Sequence, residues 1–374
     1  MWITSSTEAA KTPTNIALGN FDGVHLGHQR VMAQVLDRPG LDQVGFHRTD
    51  AAQVLSYQSV AELHGGAIAH GHSQLSNEPA LENADKTPSK DVDAELGHST
   101  VVTFLPHPQE YFSGVSRPLL TPINEKAWQL AQMGVQQLVM LPFNQAIAEL
   151  SPEVFVKQIL IDGLQAQQIS VGNDFRFGKG RAGTAEGLEQ IAEGYGVPVT
   201  RVALKEEKGD RISSSRIRQA LQTGELAEAT QLLGRPYILT GKVVKGQQIG
   251  RTIGFATANL QVPADKYLPR TGVYSVRVYG AISNTPSASV LDSTLGVMNI
   301  GHRPTVGGQS LSVEVHLLDW SGDLYGQMLT VSLETFVRPE QKFDSLMQLK
   351  AQIEKDCETA KLVPVPRGRQ TTTS

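Results

Sequence analysis

The sequence predicts an α/β chain in two parts, a doubly wound, mostly parallel-sheet domain followed by a small β-barrel closed by one helix. Three observations carry that expectation. Residues 1–235 alternate short apolar runs with helical patterns, the rhythm of strand–helix–strand crossovers. After Gly234-Arg235-Pro236 the rhythm changes to short strand-like segments separated by turns, as in a barrel or sandwich. A chain of 374 residues with 40% hydrophobic content also exceeds what one core ordinarily takes. The expected units are 1–235, 236–360 and a flexible tail, 361–374.

In the first unit, the apolar run Asn15 to Leu18 ends in Gly19 and is followed by a loop and a helical pattern from Leu26 toward Leu36. Runs at Val101 to Phe104, Gln137 to Leu141 and Ile169 to Val171 read as further strands, with helices around Glu125 to Met133 and Pro152 to Ile161. A sheet of this kind places ligands at the carboxyl ends of its strands. A helical pair, Ser214 to Thr223 and Glu225 to Leu233, closes the unit. The second unit has strand patterns at Tyr237 to Lys245, Gly272 to Val278, Thr294 to Asn299, Leu311 to Leu317 and Leu329 to Phe336, then a helix from Phe343 to Cys357. One segment, 38–98, is far longer than a compact connection and has no sustained period. We expect an inserted, solvated and largely disordered loop there. It holds His47, His64, His70, His72 and His98, but without the thiol or carboxylate spacing of a metal site.

Lys plus Arg total 33 against 37 for Asp plus Glu, a formal charge of −4, so the chain has no overall basic field with which to hold nucleic acid. The first residues lack a signal-peptide pattern and no apolar stretch is long enough to span a bilayer, which predicts a cytoplasmic protein without a membrane partner. The single cysteine, Cys357, excludes an internal disulfide framework and sits in a helical pattern as an inert residue. A monomer or weak homo-oligomer is expected.

The chemistry concentrates in a few strings. Gly19-Asn20-Phe21-Asp22-Gly23-Val24-His25-Leu26-Gly27-His28 lies between a strand and a helix. Two imidazoles two residues apart at a helix start can face one phosphate, backed by helix N–H groups, while Gly23 and Gly27 let a nucleotide approach. Ser213, Ser214, Ser215, Arg216 and Arg218 stand at the start of the Ser214 helix, where hydroxyls can cradle phosphates and Arg218 can neutralise a departing pyrophosphate. Thr103-Phe104-Leu105-Pro106-His107-Pro108 and Asn173-Asp174-Phe175-Arg176-Phe177 both follow expected strands. Phe175 and Phe177 could wall an aromatic ligand or simply pack in the core. In the second unit, Gly246, Gly250 and Gly254 resemble the turns of a phosphate-facing loop, leading to Ala256-Thr257-Ala258-Asn259. Leu311 to Leu317 alternates as a strand, with Val313, Val315 and Leu317 on one face and Glu314 and His316 on the other.

Taken together, these strings resemble the bacterial bifunctional riboflavin kinase/FMN adenylyltransferase family, over most of the chain from Asn15 to about Asp356. The resemblance implies a Rossmann-like nucleotidyltransferase domain before a riboflavin kinase barrel. ATP would be the co-substrate at both sites, and riboflavin, FMN and FAD the substrates and products. It implies His25, His28 and Arg218 as catalytic groups of adenylyl transfer, with Gly19, Phe21, Asp22, Gly23, Gly27 and the three serines with Arg216 at the nucleotide. It assigns the flavin or ATP to His107, Pro108, Asn173, Asp174, Phe175, Arg176 and Phe177. In the barrel, Thr257 and Asn259 would hold Mg²⁺, and Glu314 would be the catalytic carboxylate. Ser215 stands where the family has Thr and keeps the hydroxyl. Ala256 replaces the family's proline and removes a fixed φ, which leaves open an enzyme with only the adenylyltransferase and a flavin-binding barrel.

Overall fold

The computed structural model describes residues 1–36, 97–203, 205–207, 209–246, 250, 253–282, 289–305 and 308–363. The expected insertion therefore lies outside the described residues except for Gly97 and His98, and the expected tail does so from residue 364 onward.

The first unit is a six-stranded sheet. It is built from β1 (Trp2–Thr4), β2 (Thr14–Leu18), β3 (His98–Leu105), β4 (Gln137–Pro142), β5 (Ala166–Gly172) and β8 (Val199–Val202), with α1 (Leu26–Ala33) after β2. Between β3 and β4 lie α2 (Pro108–Ser113) and α3 (Ile123–Gln132). Between β4 and β5 come α4 (Gln145–Ala148) and α5 (Pro152–Phe155), which continues as a π-helix through Val156–Gly163. The two-residue strands β6 (Arg176–Phe177) and β7 (Gly183–Thr184) precede α6 (Ala185–Glu193). The order β1-β4-β3-β2-β5-β8 is parallel throughout. Both sheet faces are buried, as a parallel sheet covered by helices requires. Ile16, Leu18, Val102 and Val139 enter one core, and Ala17, Val101, Leu138 and Met140 enter the other. The chain leaves β2 toward β3 on one side and later lays β5 against its other edge, so the switch point sits at the carboxyl end of β2.

A small hairpin, β9 (Glu206–Glu207) with β10 (Asp210–Arg211), leads into α7 (Ser214–Thr223) and α8 (Leu226–Leu233). Ser213 caps α7, accepting from the Arg216 N–H at 3.3 Å, and Gly224 ends it in the left-handed conformation. The second unit is a closed antiparallel barrel of β11 (Ile238–Val244), β12 (Ala258–Gln261), β13 (Gly272–Ile282), β14 (Ser289–Thr305), β15 (Gly308–Leu317) and β16 (Met328–Arg338), in the order β11-β12-β15-β14-β13-β16. Helix α9 (Leu346–Lys361) packs outside it, with Cys357 and Ala360 buried against Val273 and Val297. Burial pushes the Cys357 thiol up to about 11, which agrees with an inert residue.

The sequence pattern did not show β1, α2, α4, α6, β8, β12 or the two-residue strands β6, β7, β9 and β10, all of six residues or fewer except α6. The two units pack on each other across residue 235. Ile217, Leu221, Leu232 and Leu233 of the α7–α8 pair share one buried cluster with Leu239, Tyr274, Met298, Val315 and Val331 of the barrel. Buried Lys266, from the segment after β12, donates to the Leu120 carbonyl at 2.8 Å and pairs with buried Glu125 of α3.

Candidate active sites

The loop after β2 turns sharply to enter α1, and it is held in a conformation that its own residues disfavour. Phe21 and Val24 have φ of 50° and 44°, and Gly23 has φ of 91°. Such angles at non-glycine residues cost on the order of 1–3 kcal/mol each and persist only where the surroundings over-determine them. Here they do. The Gly23 N–H donates to Thr121 Oγ1 at 2.9 Å, and the Thr121 N–H donates to Asp22 Oδ1 at 3.2 Å. Ser214 Oγ donates to the Asp22 carbonyl at 2.8 Å, Arg235 Nη2 to the Gly23 carbonyl at 2.9 Å, and Lys126 Nζ to the Asn20 carbonyl at 3.0 Å.

This loop forms one wall of a cavity of about 900 Å³ at the carboxyl ends of the strands. Gly19, Phe21, Asp22, His25, Gly27 and His28 line it after β2, His107 and Pro108 after β3, Asp174 to Phe177 after β5, and Ser213 and Ser214 at the start of α7. His25 caps α1, its Nδ1 accepting from the His28 N–H at 3.3 Å. Its ring stacks on that of His28 with centroids 3.5 Å apart. Burial lowers the His25 imidazole to about 4 and pushes His28 well below the usual range, so both are neutral near pH 7. Each can donate one ring N–H to a phosphate oxygen but brings no charge in the unliganded site. The positive charge comes from Arg117, Arg176, Arg181, Lys205 and Arg211 on the same walls; of these only Arg176 stood out in the sequence. Arg211 forms an ion pair with Asp174.

The aromatic lining is also wider than the sequence suggested. Phe104 and Phe143 meet edge to face at 5.6 Å, and Phe112 adds a third ring, 5.8 Å from Phe143 and 69% exposed. Phe175 and Phe177 lie nearly parallel at 5.8 Å, but Phe177 is buried against Phe155 and belongs as much to the core as to the cavity. His107 carries a local duty, capping α2 by accepting from the Gln109 N–H at 3.1 Å.

Five expected residues are not on this wall: Gly23, which sits in the turn itself with φ of 91°, and Asn173, Ser215, Arg216 and Arg218. Asn173 is exposed beyond it, and Ser215 is exposed on α7. Arg216 turns away to Glu228 at 2.8 Å and to the Glu207 and Asp210 carbonyls, securing the β9–β10 hairpin. Arg218 is engaged with the Asp22 carboxylate and the Pro118 carbonyl, so it braces the loop from behind.

In the barrel, strand register does the positioning. Asn259 on β12 faces Glu314 on β15, which faces Asn299 on β14. Val313, Val315 and Leu317 point into the core, as the alternation predicts, and Glu314 and His316 line a second cavity of about 320 Å³. Thr257 Oγ1 donates to Glu314 Oε2 at 3.4 Å. Gly246 passes so close to Asn259 that a Cβ there would stand 2.1 Å from its Nδ2, so any larger residue must displace the Asn259 side chain. Gly250 lies on the cavity wall and Gly254 has φ of 92°. The turn at Ala256 is fastened from outside by His316 Nδ1, 2.8 Å from the Ala256 carbonyl, with the His316 ring edge-on to Phe255 at 5.2 Å. The far wall comes from α9 and the segment before it, through Phe343, Leu349 and Ile353. Arg338 of β16 ties that helix down with Nε–Oδ1 and Nη2–Oδ2 contacts of 2.9 and 2.8 Å to Asp356.

Two separate cavities, one at the carboxyl ends of a parallel sheet and one on a small barrel beside a strand carboxylate, fit a two-domain transferase of phosphate-bearing groups. A family model of FAD synthetase matches residues 7–45 and 71–216, and a model of riboflavin kinase matches 233–363. The bifunctional riboflavin kinase/FMN adenylyltransferase of Escherichia coli K12 is 36% identical over 348 residues, covering 92% of this chain and 91% of its own. That of Pseudomonas fluorescens is 34% identical over 355 residues, covering 94% of both. The chain belongs to the bifunctional riboflavin kinase/FMN adenylyltransferase family. A crystal structure from Streptococcus pneumoniae, described as a macrolide-efflux protein, superposes with a TM-score of 0.71 at 26% identity, over 96% of this chain and 98% of that one. Among the described residues of this chain, no helix is long and apolar enough to cross a membrane.

Proposed function

We propose that the chain phosphorylates riboflavin to FMN in the barrel and adenylylates FMN to FAD at the N-terminal site, with ATP the donor in both steps. The observation that supports this reading is the pair of distinct cavities, one lined by the two stacked histidines with five basic side chains and one by Glu314 with Thr257.

In the barrel, a primary hydroxyl of riboflavin attacks the γ-phosphorus of ATP. The new O–P bond forms as the bond to the β-phosphate oxygen breaks, Glu314 accepts the hydroxyl proton, and ADP leaves. Asn259 and Thr257 stand beside Glu314 as oxygen ligands, a donor set that fits Mg²⁺ completing its shell with phosphate and water. When bound, that ion would neutralise charge on the transferring phosphates. Ala256 lacks a proline's fixed φ, but the 2.8 Å contact of its carbonyl with His316 Nδ1 orients the peptide plane that leads to Thr257.

At the N-terminal site, an FMN phosphate oxygen attacks the α-phosphorus of ATP and pyrophosphate departs. Neutral His25 and His28 hydrogen-bond the phosphates, and Arg211 and Lys205 on the cavity wall meet the charge of the leaving group. Arg218 contributes by holding Asp22. Phe104, Phe112 and Phe143 offer faces and edges to the isoalloxazine. Labelled ATP tests the scheme: γ-label should appear in FMN and then FAD, and α-label in FAD alone, with release of pyrophosphate. Label from α-phosphate in FMN, or none in either flavin, would refute it.

A further inference from the structure

Of the groups that hold the Asp22–Gly23 turn, two are themselves held by the barrel. The first route runs through Thr121, which binds both Asp22 Oδ1 and the Gly23 N–H. Two residues earlier, Leu119 forms a parallel bridge with Lys266. The Leu119 N–H donates to the Asp265 carbonyl at 2.6 Å, and the Tyr267 N–H to the Leu119 carbonyl at 2.8 Å. Lys266 Nζ donates to the Leu120 carbonyl and pairs with Glu125, lying 4.3 Å from the centre of the Tyr237 ring. The second route runs through Arg218, whose guanidinium pairs with Asp22. The Tyr267 hydroxyl donates to the Arg218 carbonyl at 3.2 Å, and the Tyr267 ring centre lies 5.6 Å from the guanidinium carbon. Tyr267 is itself fixed by the Tyr237 hydroxyl, which donates to its carbonyl at 2.6 Å.

Two adjacent barrel residues thus reach one strained turn by separate paths. A buried ion pair such as Lys266–Glu125 adds little net stability over apolar packing, because desolvation offsets the attraction. What it fixes is geometry. We propose that Lys266 and Tyr267 are positioning residues of the adenylyl-transfer site, setting the Asp22–Gly23 turn through Leu119–Thr121 and through Arg218. The consequence for activity rests on our reading of that loop as the site of adenylyl transfer; the consequence for structure does not.

The test uses the full chain with Lys266→Met, Tyr267→Phe and the double variant Glu125→Gln/Lys266→Met, the last removing the carboxylate that the single change strands. Amide exchange is followed in peptides covering 20–25 and 14–18, beside steady-state FMN adenylylation and riboflavin phosphorylation. Loss of a charge-assisted hydrogen bond predicts that Lys266→Met speeds exchange at 20–25 at least about tenfold and lowers adenylylation kcat by about the same factor. Protection of 14–18, KM for ATP and riboflavin phosphorylation should hold. Tyr267→Phe should act in the same direction by about threefold. The double variant should regain thermal stability without regaining protection of the turn. If it regains both, or if exchange at 20–25 is unchanged in every variant, the two residues are only domain glue and the proposal fails. Absence of FAD formation by the wild type would instead overturn the functional reading, while the exchange data would still decide the positioning claim.

Discussion

The two phosphate sites solve one problem by different means. At the N-terminal site a strained turn between β2 and α1 is pinned by side chains from distant parts of the chain, including Thr121, Ser214, Arg218 and Arg235. In the barrel Glu314, the carboxylate we propose as proton acceptor, sits on a regular strand, and its neighbours Asn259 and Asn299 are delivered by register alone. The first site should therefore be sensitive to residues outside the cavity lining. The second should depend mainly on the few side chains that line it.

The sharpest way to probe that contrast is to remove one reacting group from each site. Glu314→Ala should lower riboflavin phosphorylation by about 10²–10⁴-fold and leave FMN adenylylation intact, as read by separating the flavins. His28→Ala should lower adenylylation by roughly 10²-fold or more and leave phosphorylation intact in the same assay. A smaller effect should follow from Gly246→Ala, where the new Cβ meets Asn259. Phosphorylation should drop about tenfold while thermal unfolding changes little, a size set by misplacing one ligand.

The pH response sharpens the comparison further. His25 is lowered from 6.5 to about 4 in the fold, so the unfolded chain binds the proton more readily between those values. Its contribution to stability is complete above pH 6.5 and is lost as pH falls toward about 4, on the order of 3 kcal/mol in all. Denaturant titrations of wild type and His25→Asn should therefore converge as pH falls through that window. A wild-type stability that stays flat relative to the variant would contradict the burial of a neutral imidazole. The smallest expected effect is that of His316→Leu, which frees the Ala256 carbonyl and should raise the barrel's KM for ATP by about threefold, equivalent to part of one hydrogen bond.

Local pattern made much of this legible in the sequence. The bounds of α7 follow from Ser213 as cap and Gly224 as stop, and the alternation of β15 correctly separated Val313, Val315 and Leu317 from Glu314 and His316. The short strands β8 and β12 carry too few residues for a period to show. Motif neighbours were assigned together, although rotation along α7 turns Ser215 and Arg216 away from the cavity that Ser213 and Ser214 line. Long-range partners left no local trace: Arg218 and Asp22 are 196 positions apart, and Glu125 and Lys266 are 141. Phe112 and Phe143 join the first cavity only because β3 and β4 end beside each other.

The central claim is that one chain carries two independent ATP-using sites in series. Mixing Glu314→Ala with His28→Ala, each folded by circular dichroism, and supplying riboflavin with MgATP tests it directly. Neither variant alone should make FAD from riboflavin, and the mixture should, as FMN made by His28→Ala is adenylylated by Glu314→Ala. FAD from either variant alone, or none from the mixture, would contradict the account.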